Sequence, residues 1–183
     1  MLSEKEITRL SKFLSLVLRH QPGKIGITLD ANGWTNVALL LSQSNKNGVN
    51  LTEAILEQVV QTNTKKRFSF NEDKNKIRAN QGHSVEVDLG YLPQEPPTIL
   101  YHGTAENFLD SILKTGLNKR KRHHVHLSAD FETARQVGKR HGKPVVFTVE
   151  AAAMNQDGYA FYLSSNKVWL TEQVPAKYLK LLP

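Results

Sequence analysis

Apolar residues recur at helical spacing in three stretches of the first half of the chain. A capping-box pair, Ser3 and Glu6, opens the first stretch. The helix predicted there ends near His20, because a proline two residues later disfavours helical geometry just before it. Thr35 and Thr52 are placed to cap a second and a third helix. The three apolar faces consist of Ile7, Leu10, Leu14, Val17 and Leu18; of Val37, Leu40 and Leu41; and of Ile55, Leu56, Val59 and Val60.

Short strands are predicted around these helices. Residues 27–29 form one candidate strand, and residues 30–33 form a turn after it. Residues 67–70 and 76–79 are two further strands, joined by the polar loop 71–75. Three helices followed by a hairpin is the element order of a winged-helix domain. A generic α+β module has the same order.

A proline-rich stretch divides the chain. Residues 90–97 contain three prolines within five residues, which predicts a semi-rigid linker and a domain boundary. We therefore expect one lobe at residues 1–92 and a second, strand-rich lobe at residues 93–183. The strands predicted in the second lobe are 98–101, 124–128, 145–149, 161–163 and 168–170. Two helices are also predicted in the second lobe. The first is capped at its C-terminus by Gly116, and its inward-facing residues are Phe108, Leu109, Ile112 and Leu113. The second spans residues 130–141.

Composition narrows the class of partner. The 183 residues include 24 Lys and Arg against 17 Asp and Glu, a net charge of +7 that favours nucleic acid or another polyanion. The absence of cysteine excludes disulfides, thiolate metal sites and a cysteine nucleophile, and it suits a reducing cytosol. The N-terminus lacks the apolar core of a signal peptide, and no apolar run approaches the ~18 residues of a membrane helix. We expect a cytoplasmic protein without a membrane partner.

A cationic loop leads into a strand with histidines on one side. Four consecutive cations occupy residues 119–122, and His124, His126 and Ser128 then alternate with apolar residues. Such a loop can bind a phosphate, and the strand can present imidazoles and a hydroxyl to a polar ligand. The alternative is a solvated basic loop before an ordinary half-buried strand.

A second polar group follows the first strand of the second lobe. His102, Gly103 and Thr104 precede a predicted helix, whose first amides attract anions. Glycine lets a ligand approach the backbone, while the other two side chains suit a ribose or an amide. An ordinary strand-to-helix turn is the alternative. Because another histidine-bearing strand comes ~20 residues later, the two strands are expected to line one cleft.

A metal site is not expected from these histidines. No His-x-x-x-His pair occurs at helical spacing, and there is no cysteine to add a thiolate ligand. His124 and His126 lie on the second strand, and Arg120 and Arg122 of the preceding loop are close to them in sequence. These arginines would repel a dication.

Five motifs occur in an order that resembles one known family. The chain is similar over essentially its full length to NAD-dependent RNA 2′-phosphotransferases, the tRNA 2′-phosphotransferase family. The motifs are Leu18-Arg19-His20, Lys66-Arg67-Phe68, Gln81-Gly82-His83-Ser84, Tyr101-His102-Gly103-Thr104 and Arg122-His123-His124-Val125-His126-Leu127-Ser128.

The resemblance implies both a fold and a reaction. It implies an N-terminal winged-helix-like lobe that binds RNA and phosphate, and a C-terminal ADP-ribosyltransferase-like lobe that binds NAD. It also implies removal of an internal 2′-phosphate from RNA of the tRNA splice-junction type, with NAD as co-substrate. The implied products are 2′-hydroxyl RNA, nicotinamide and ADP-ribose 1″,2″-cyclic phosphate, formed through an ADP-ribosylated 2′-phosphate.

The resemblance also assigns site residues. The family's catalytic Arg-His-Arg-Arg set matches Arg19, His20, Arg67 and Arg122. Its NAD-binding positions match His102, Gly103, Thr104, His126, Leu127 and Ser128. The glutamate of many protein-modifying ADP-ribosyltransferases has no counterpart in residues 168–170, which counts against protein modification. No metal is implied, because guanidinium groups supply the charge that a phosphate requires.

Other interpretations of the same residues remain open. One is a non-catalytic RNA-binding protein with an NAD-sensing lobe, and another is an ADP-ribosyltransferase of nucleic-acid phosphate ends that stops after the first step. Arg19 and His20 also have a purely structural account, since cations in the last turn of a helix interact favourably with its dipole. The complete set of four catalytic residues favours full turnover.

Overall fold

The computed structural model describes residues 2–183. The chain divides into two compact units, the first ending at Gly90 and the second beginning at Tyr91. Each unit combines helices with small antiparallel sheets, so the predicted α+β class is confirmed. Within residues 2–183, no helix is both long and apolar enough to cross a membrane.

The first helix, α1 (Glu4–Arg19), forms as the sequence predicts. The Ser3 side chain accepts a hydrogen bond from the Glu6 N–H, and the Glu6 carboxylate accepts one from the Ser3 N–H, which completes the capping box. The helix ends at His20, its C-cap residue. Its buried apolar positions are Leu10, Leu14, Val17 and Leu18.

Two further helices, α2 (Val37–Lys46) and α3 (Glu53–Thr62), complete the helical part of the first unit. Thr52 caps α3 through its side chain, as predicted. The predicted cap of α2 is wrong by one residue, because the Asn36 side chain accepts from the Leu39 N–H. Thr35 instead belongs to a strand and is buried.

The strands of the first unit are β1 (Thr35–Asn36), β2 (Phe68–Phe70) and β3 (Lys76–Ala79), paired antiparallel in the order β1-β3-β2. The predicted hairpin is confirmed. The predicted strand at residues 27–29 is wrong, because this segment is irregular and follows a short 3₁₀ helix, Pro22–Ile25. Ile27 is buried in the helical core, so its apolar pattern reflects burial rather than strand pairing.

The second unit contains three small antiparallel sheets. The strands are β4 (Leu100–Ala105), β5 (Leu117–Asn118), β6 (Val125–Leu127), β7 (Pro144–Val149), β8 (Phe161–Leu163), β9 (Trp169–Thr171), β10 (Gln173–Val174) and β11 (Leu179–Leu181). The first sheet has the order β11-β7-β4 and the second β6-β9-β8, while β5 pairs with β10. The largest fully buried side chains here are Phe147, Phe161, Leu100, Leu127, Met154 and Leu170.

The helices of the second unit are α4 (Leu109–Thr115), α5 (Phe131–Gly138) and α6 (Ala151–Gln156). Gly116 closes α4 with a φ of 74°, so the predicted glycine cap is confirmed. Leu113 was predicted to face inward, but its side chain is exposed while Ile112 is buried. The short α6 was not predicted, because its alanine-rich sequence has no distinct apolar period.

Part of the proline-rich stretch is fixed to the second unit. The Gln94 N–H donates to the Phe161 carbonyl at 2.8 Å, and Pro93 forms a bridge with Tyr162. The stretch therefore continues the sheet next to β8 instead of running free through solvent.

Candidate active site

The end of α1 holds Arg19 and His20 through a later segment of the first unit. The Ser84 and Val85 N–H groups donate to the Arg19 carbonyl at 2.9 and 3.3 Å. The Ser84 Oγ is hydrogen-bonded to His20 Nδ1 at 2.9 Å. Arg19 is half-buried and His20 is exposed, so the pair combines a fixed backbone with an accessible imidazole.

Arg67 precedes β2 and is held by two asparagines. Its N–H donates to Asn63 Oδ1 at 3.3 Å, and its carbonyl accepts from the Asn80 N–H at 2.8 Å. The Asn80 side chain donates to the Lys66 carbonyl at 2.6 Å. Lys66 has a φ of 40°, in the left-handed region, so the chain bends sharply just before Arg67.

One segment, residues 80–85, joins these two places. Its first residue bonds to Arg67 and its last two bond to Arg19. In its middle, His83 is buried, and its imidazole lies against Gly33, where an added Cβ would come within 3.3 Å of Nε2. The sequence identified residues 81–84 only as a family motif. The structure shows that this segment fixes Arg19, His20 and Arg67 relative to one another within the first unit.

In the second unit, β4 and β6 lie side by side. Tyr101 and Ser128 exchange backbone hydrogen bonds of 2.9 and 2.8 Å, and His102 Nδ1 lies 3.1 Å from the His126 carbonyl oxygen. The two histidine-bearing segments are therefore neighbours, as expected. The alternation on β6 is also confirmed, since Val125 and Leu127 are buried and His126 is half-buried.

The state of the His102 ring follows from its surroundings. A carbonyl oxygen only accepts, so Nδ1 carries the proton, and the neutral ring leaves Nε2 as an acceptor. Burial lowers the pKa of His102, and this outweighs the opposing effect of the hydrogen bond to His126. The positive charge of Arg122 lowers the pKa further, so Arg122 lies within electrostatic range of the ring.

Gly103 has a packing role in the structure. A Cβ at this position would collide with the Ala134 carbonyl of α5 and approach the Gly138 N–H within 3.1 Å. A Cβ on Gly138 would in turn lie 2.7 Å from the Thr104 carbonyl. The two glycines thus let α5 lie directly on β4, and the glycine expected to admit a ligand is covered by a helix on its Cβ side.

Arg122 ends the cationic loop just before β6. Its N–H donates to the Lys119 carbonyl at 3.0 Å, which closes a turn, and its side chain is exposed. The other cations are partly engaged: the Lys119 ammonium pairs with Glu172 at 2.8 Å, and the Arg120 guanidinium stands 5.4 Å from the Phe108 ring centre. The loop is therefore ordered by its own contacts, with Arg122 presented to solvent.

No group of three or more His, Cys, Asp or Glu side chains in residues 2–183 is arranged to hold a metal ion. Arg19, His20 and Arg67 lie in the first unit, whereas Arg122 and the six predicted NAD-binding residues lie in the second.

Comparison with known proteins gives one consistent result. The sequence model of a family described as "RNA 2'-phosphotransferase, Tpt1 / KptA family" matches residues 5–173. A probable RNA 2'-phosphotransferase of Hahella chejuensis is 54% identical over 179 residues, covering 98% of this chain and 96% of its own. One of Trichormus variabilis is 56% identical over 174 residues, covering 95% and 96%. One of Agrobacterium fabrum is 56% identical over 172 residues, covering 94% and 92%.

Proposed function

The chain belongs to the RNA 2′-phosphotransferase family, and we propose that it transfers an internal 2′-phosphate of RNA to NAD. The RNA is of the tRNA splice-junction type, and the products are 2′-hydroxyl RNA, nicotinamide and ADP-ribose 1″,2″-cyclic phosphate. The observation that carries this proposal is the segment 80–85, which fixes Arg19, His20 and Arg67 in one arrangement. A chain that only needed basic residues for RNA binding would not require such a restraint.

Each unit has a proposed role. The first, with three helices and a small sheet, is the winged-helix-like lobe that binds the RNA phosphate. The second is the ADP-ribosyltransferase-like lobe that binds NAD, at the neighbouring strands β4 and β6. The exposed side chains of His20 and Arg122 support these roles, because a bulky RNA reaches only accessible groups.

The residues of the second unit fit a dinucleotide. The neutral His102 ring offers Nε2 as an acceptor for a ribose hydroxyl, and Ser128 adds a hydroxyl on the neighbouring segment. Because the backbone groups of Ser128 are bonded to Tyr101, its position is set by the sheet. The roles of Thr104, His126 and Leu127 follow from the family resemblance.

In the first step, an oxygen of the RNA 2′-phosphate forms a bond to the ribose carbon that bears nicotinamide. The bond from that carbon to nitrogen breaks, and nicotinamide departs as a neutral molecule. Arg19, Arg67 and Arg122 hold the phosphate, because planar guanidinium groups bind its oxygens in pairs. Positioning is the main requirement of this step, since the leaving group needs no proton.

In the second step, the ribose 2″-hydroxyl attacks phosphorus and the bond to the RNA 2′-oxygen breaks. A proton leaves the attacking hydroxyl, and a proton is taken up by the departing RNA oxygen. His20 transfers a proton in this exchange, and the arginines stabilise the charge on the phosphoryl oxygens. The hydrogen bond between Ser84 Oγ and Nδ1 engages one ring nitrogen of His20, so Nε2 is the nitrogen proposed to transfer the proton.

The proposal is tested with a 2′-phosphorylated RNA oligonucleotide incubated with and without NAD. We expect nicotinamide and 2′-hydroxyl RNA in equal amounts, and no reaction without NAD. RNA binding with no nicotinamide release would instead indicate a binding protein. A stable ADP-ribosylated RNA product would indicate an enzyme that stops after the first step.

A further inference from the structure

A pocket of about 340 Å³ lies in the second unit, next to the start of β6. Its size is at the lower end of the range of small-molecule sites, about 300–1,000 Å³. None of the proposed NAD-binding residues lines it. Its lining includes Lys119, His124, Tyr159, Tyr162, Glu172 and Gln173.

One side of the pocket is aromatic. The His124 and Tyr162 rings have centroids 5.4 Å apart and planes inclined at 56°. Tyr159 also lines the pocket. Burial lowers the pKa of His124, and the nearby charges of His123 and Lys119 lower it further. The imidazole is therefore neutral near pH 7, and it offers an aromatic surface on which a flat heterocycle can stack.

The other side of the pocket is polar and is formed by an ion pair and an amide. The Lys119 ammonium donates to Glu172 at 2.8 Å, and this hydrogen bond lowers the pKa of the Glu172 carboxyl. The Glu172 carboxylate can also accept from amino groups, its charge is balanced by Lys119, and the Gln173 amide both donates and accepts. The pocket therefore suits an uncharged flat ring with polar edges, which describes a nucleobase.

The place of the pocket along β6 indicates where the base comes from. His124 follows Arg122 by two residues and precedes β6, whereas Ser128 follows the other end of β6 and lies beside Tyr101. His124 and Ser128 flank β6 and are four positions apart, roughly 13 Å in an extended chain. The pocket thus begins two residues from the arginine proposed to bind the RNA phosphate, and none of the proposed NAD-binding residues, the neighbouring His126 included, lines it.

We propose that this pocket holds one nucleobase of the substrate RNA, adjacent to the 2′-phosphorylated nucleotide. This inference rests on the proposed function. Single-stranded RNA is typically recognised in this way, by unstacked bases that lie on aromatic side chains, histidine included, and bond through their edges. The same ring chemistry occurs in NAD, so the experiment must separate the two sources.

The test measures RNA affinity without NAD, by fluorescence anisotropy, for the wild-type chain and for His124→Ala. The ligands are a 2′-phosphorylated oligonucleotide and two versions of it, each with an abasic nucleotide on one side of the phosphate. We expect one abasic RNA to bind the wild type about 5- to 100-fold more weakly, the usual effect of losing a stacked base.

The His124→Ala variant should bind the complete RNA more weakly by a similar factor, and its affinity for the abasic RNA should not fall further. His124→Phe should restore the preference, because it restores the ring.

The controls keep the two proposals apart. His141→Ala removes an exposed histidine outside the pocket and should leave RNA affinity unchanged. Equal binding of complete and abasic RNA by the wild type would overturn the pocket assignment, even if phosphate transfer is normal. A loss of NAD affinity in His124→Ala, with RNA affinity kept, would overturn it in favour of a site for NAD. If base-dependent binding holds while phosphate transfer fails, the proposed function is wrong and the pocket stands.

Discussion

Ser84 Oγ lies 2.9 Å from His20 Nδ1, and the backbone N–H of Ser84 donates to the carbonyl of Arg19. One residue therefore restrains both members of the pair at the end of α1. The imidazole is held by its Nδ1, so in the proposed mechanism Nε2 is the nitrogen that transfers the proton. Under the proposed mechanism, Ser84 is a positioning residue for His20.

Removing the Ser84 hydroxyl should affect turnover more than substrate binding. For Ser84→Ala we expect kcat to fall about 2- to 10-fold, the equivalent of one ordinary hydrogen bond, with KM for NAD unchanged. Ser84→Thr should restore the rate, because it restores the hydroxyl. Steady-state kinetics check this, with Ser42→Ala, an exposed serine on α2, as the matched control. A lower melting temperature with normal kcat would reduce Ser84 to a structural role.

His20→Ala should separate the two chemical steps. Nicotinamide should still be released, because the first step needs no proton transfer. The second step should slow by about 10²- to 10⁴-fold, the usual contribution of a placed general acid or base. ADP-ribosylated RNA should then accumulate on a gel in single-turnover reactions. Conversion to 2′-hydroxyl RNA at the wild-type rate, without that intermediate, would leave His20 with the purely structural role of stabilising the end of α1.

The sequence predicted the elements whose signals are local. The capping box at Ser3, the Thr52 cap and the glycine at 116 each act within one turn of a helix, and each is found in the structure. The errors have non-local causes. Residues 27–29 have the pattern of a strand, yet they pack on the helical core without strand pairing. Thr35 was expected to cap a helix, but it pairs with Ile77 of β3, about forty residues later.

The pH dependence of stability should report on His102. Burial lowers its pKa in the folded chain below the value of about 6.5 for an unfolded histidine. Its contribution is therefore fully present above about pH 6.5 and is lost as the pH falls toward the folded pKa. His102→Gln removes the titrating group, so unfolding measured by denaturant between pH 7 and pH 5 should depend less on pH. Leu113→Gln, on the exposed side of α4, should keep the wild-type dependence. An unchanged slope in His102→Gln would contradict the account.

Gly103→Ala should destabilise the second unit. The new methyl group would collide with the backbone of α5, so we expect the free energy of unfolding to fall by about 1–3 kcal/mol or more. Thermal unfolding checks this, with Gly23→Ala as control, because nothing lies within 4 Å of a Cβ at Gly23. If Gly103→Ala is as stable as the wild type but no longer binds NAD, the glycine serves ligand approach instead.

The residue types of the candidate site could be predicted from the sequence, but the hydrogen bonds and packing contacts that hold those residues in place could not. Arginine and histidine suit a phosphate on chemical grounds alone, and the resemblance located them in the chain. The restraint of Arg67 by Asn63 and Asn80, or of Arg19 by Ser84 and Val85, arises only when distant segments meet. The packing of Gly103 on Ala134 is of the same kind, since it depends on where α5 lies.

The fate of the phosphorus atom tests the central claim most directly. An RNA oligonucleotide carrying a ³²P-labelled internal 2′-phosphate is incubated with the wild-type chain and NAD, and the small molecules are separated. We predict that the label leaves the RNA only when NAD is present, and that it appears in ADP-ribose cyclic phosphate in the same amount as released nicotinamide. Label released as inorganic phosphate without NAD, or label that stays in the RNA, would contradict a transfer of the 2′-phosphate to NAD.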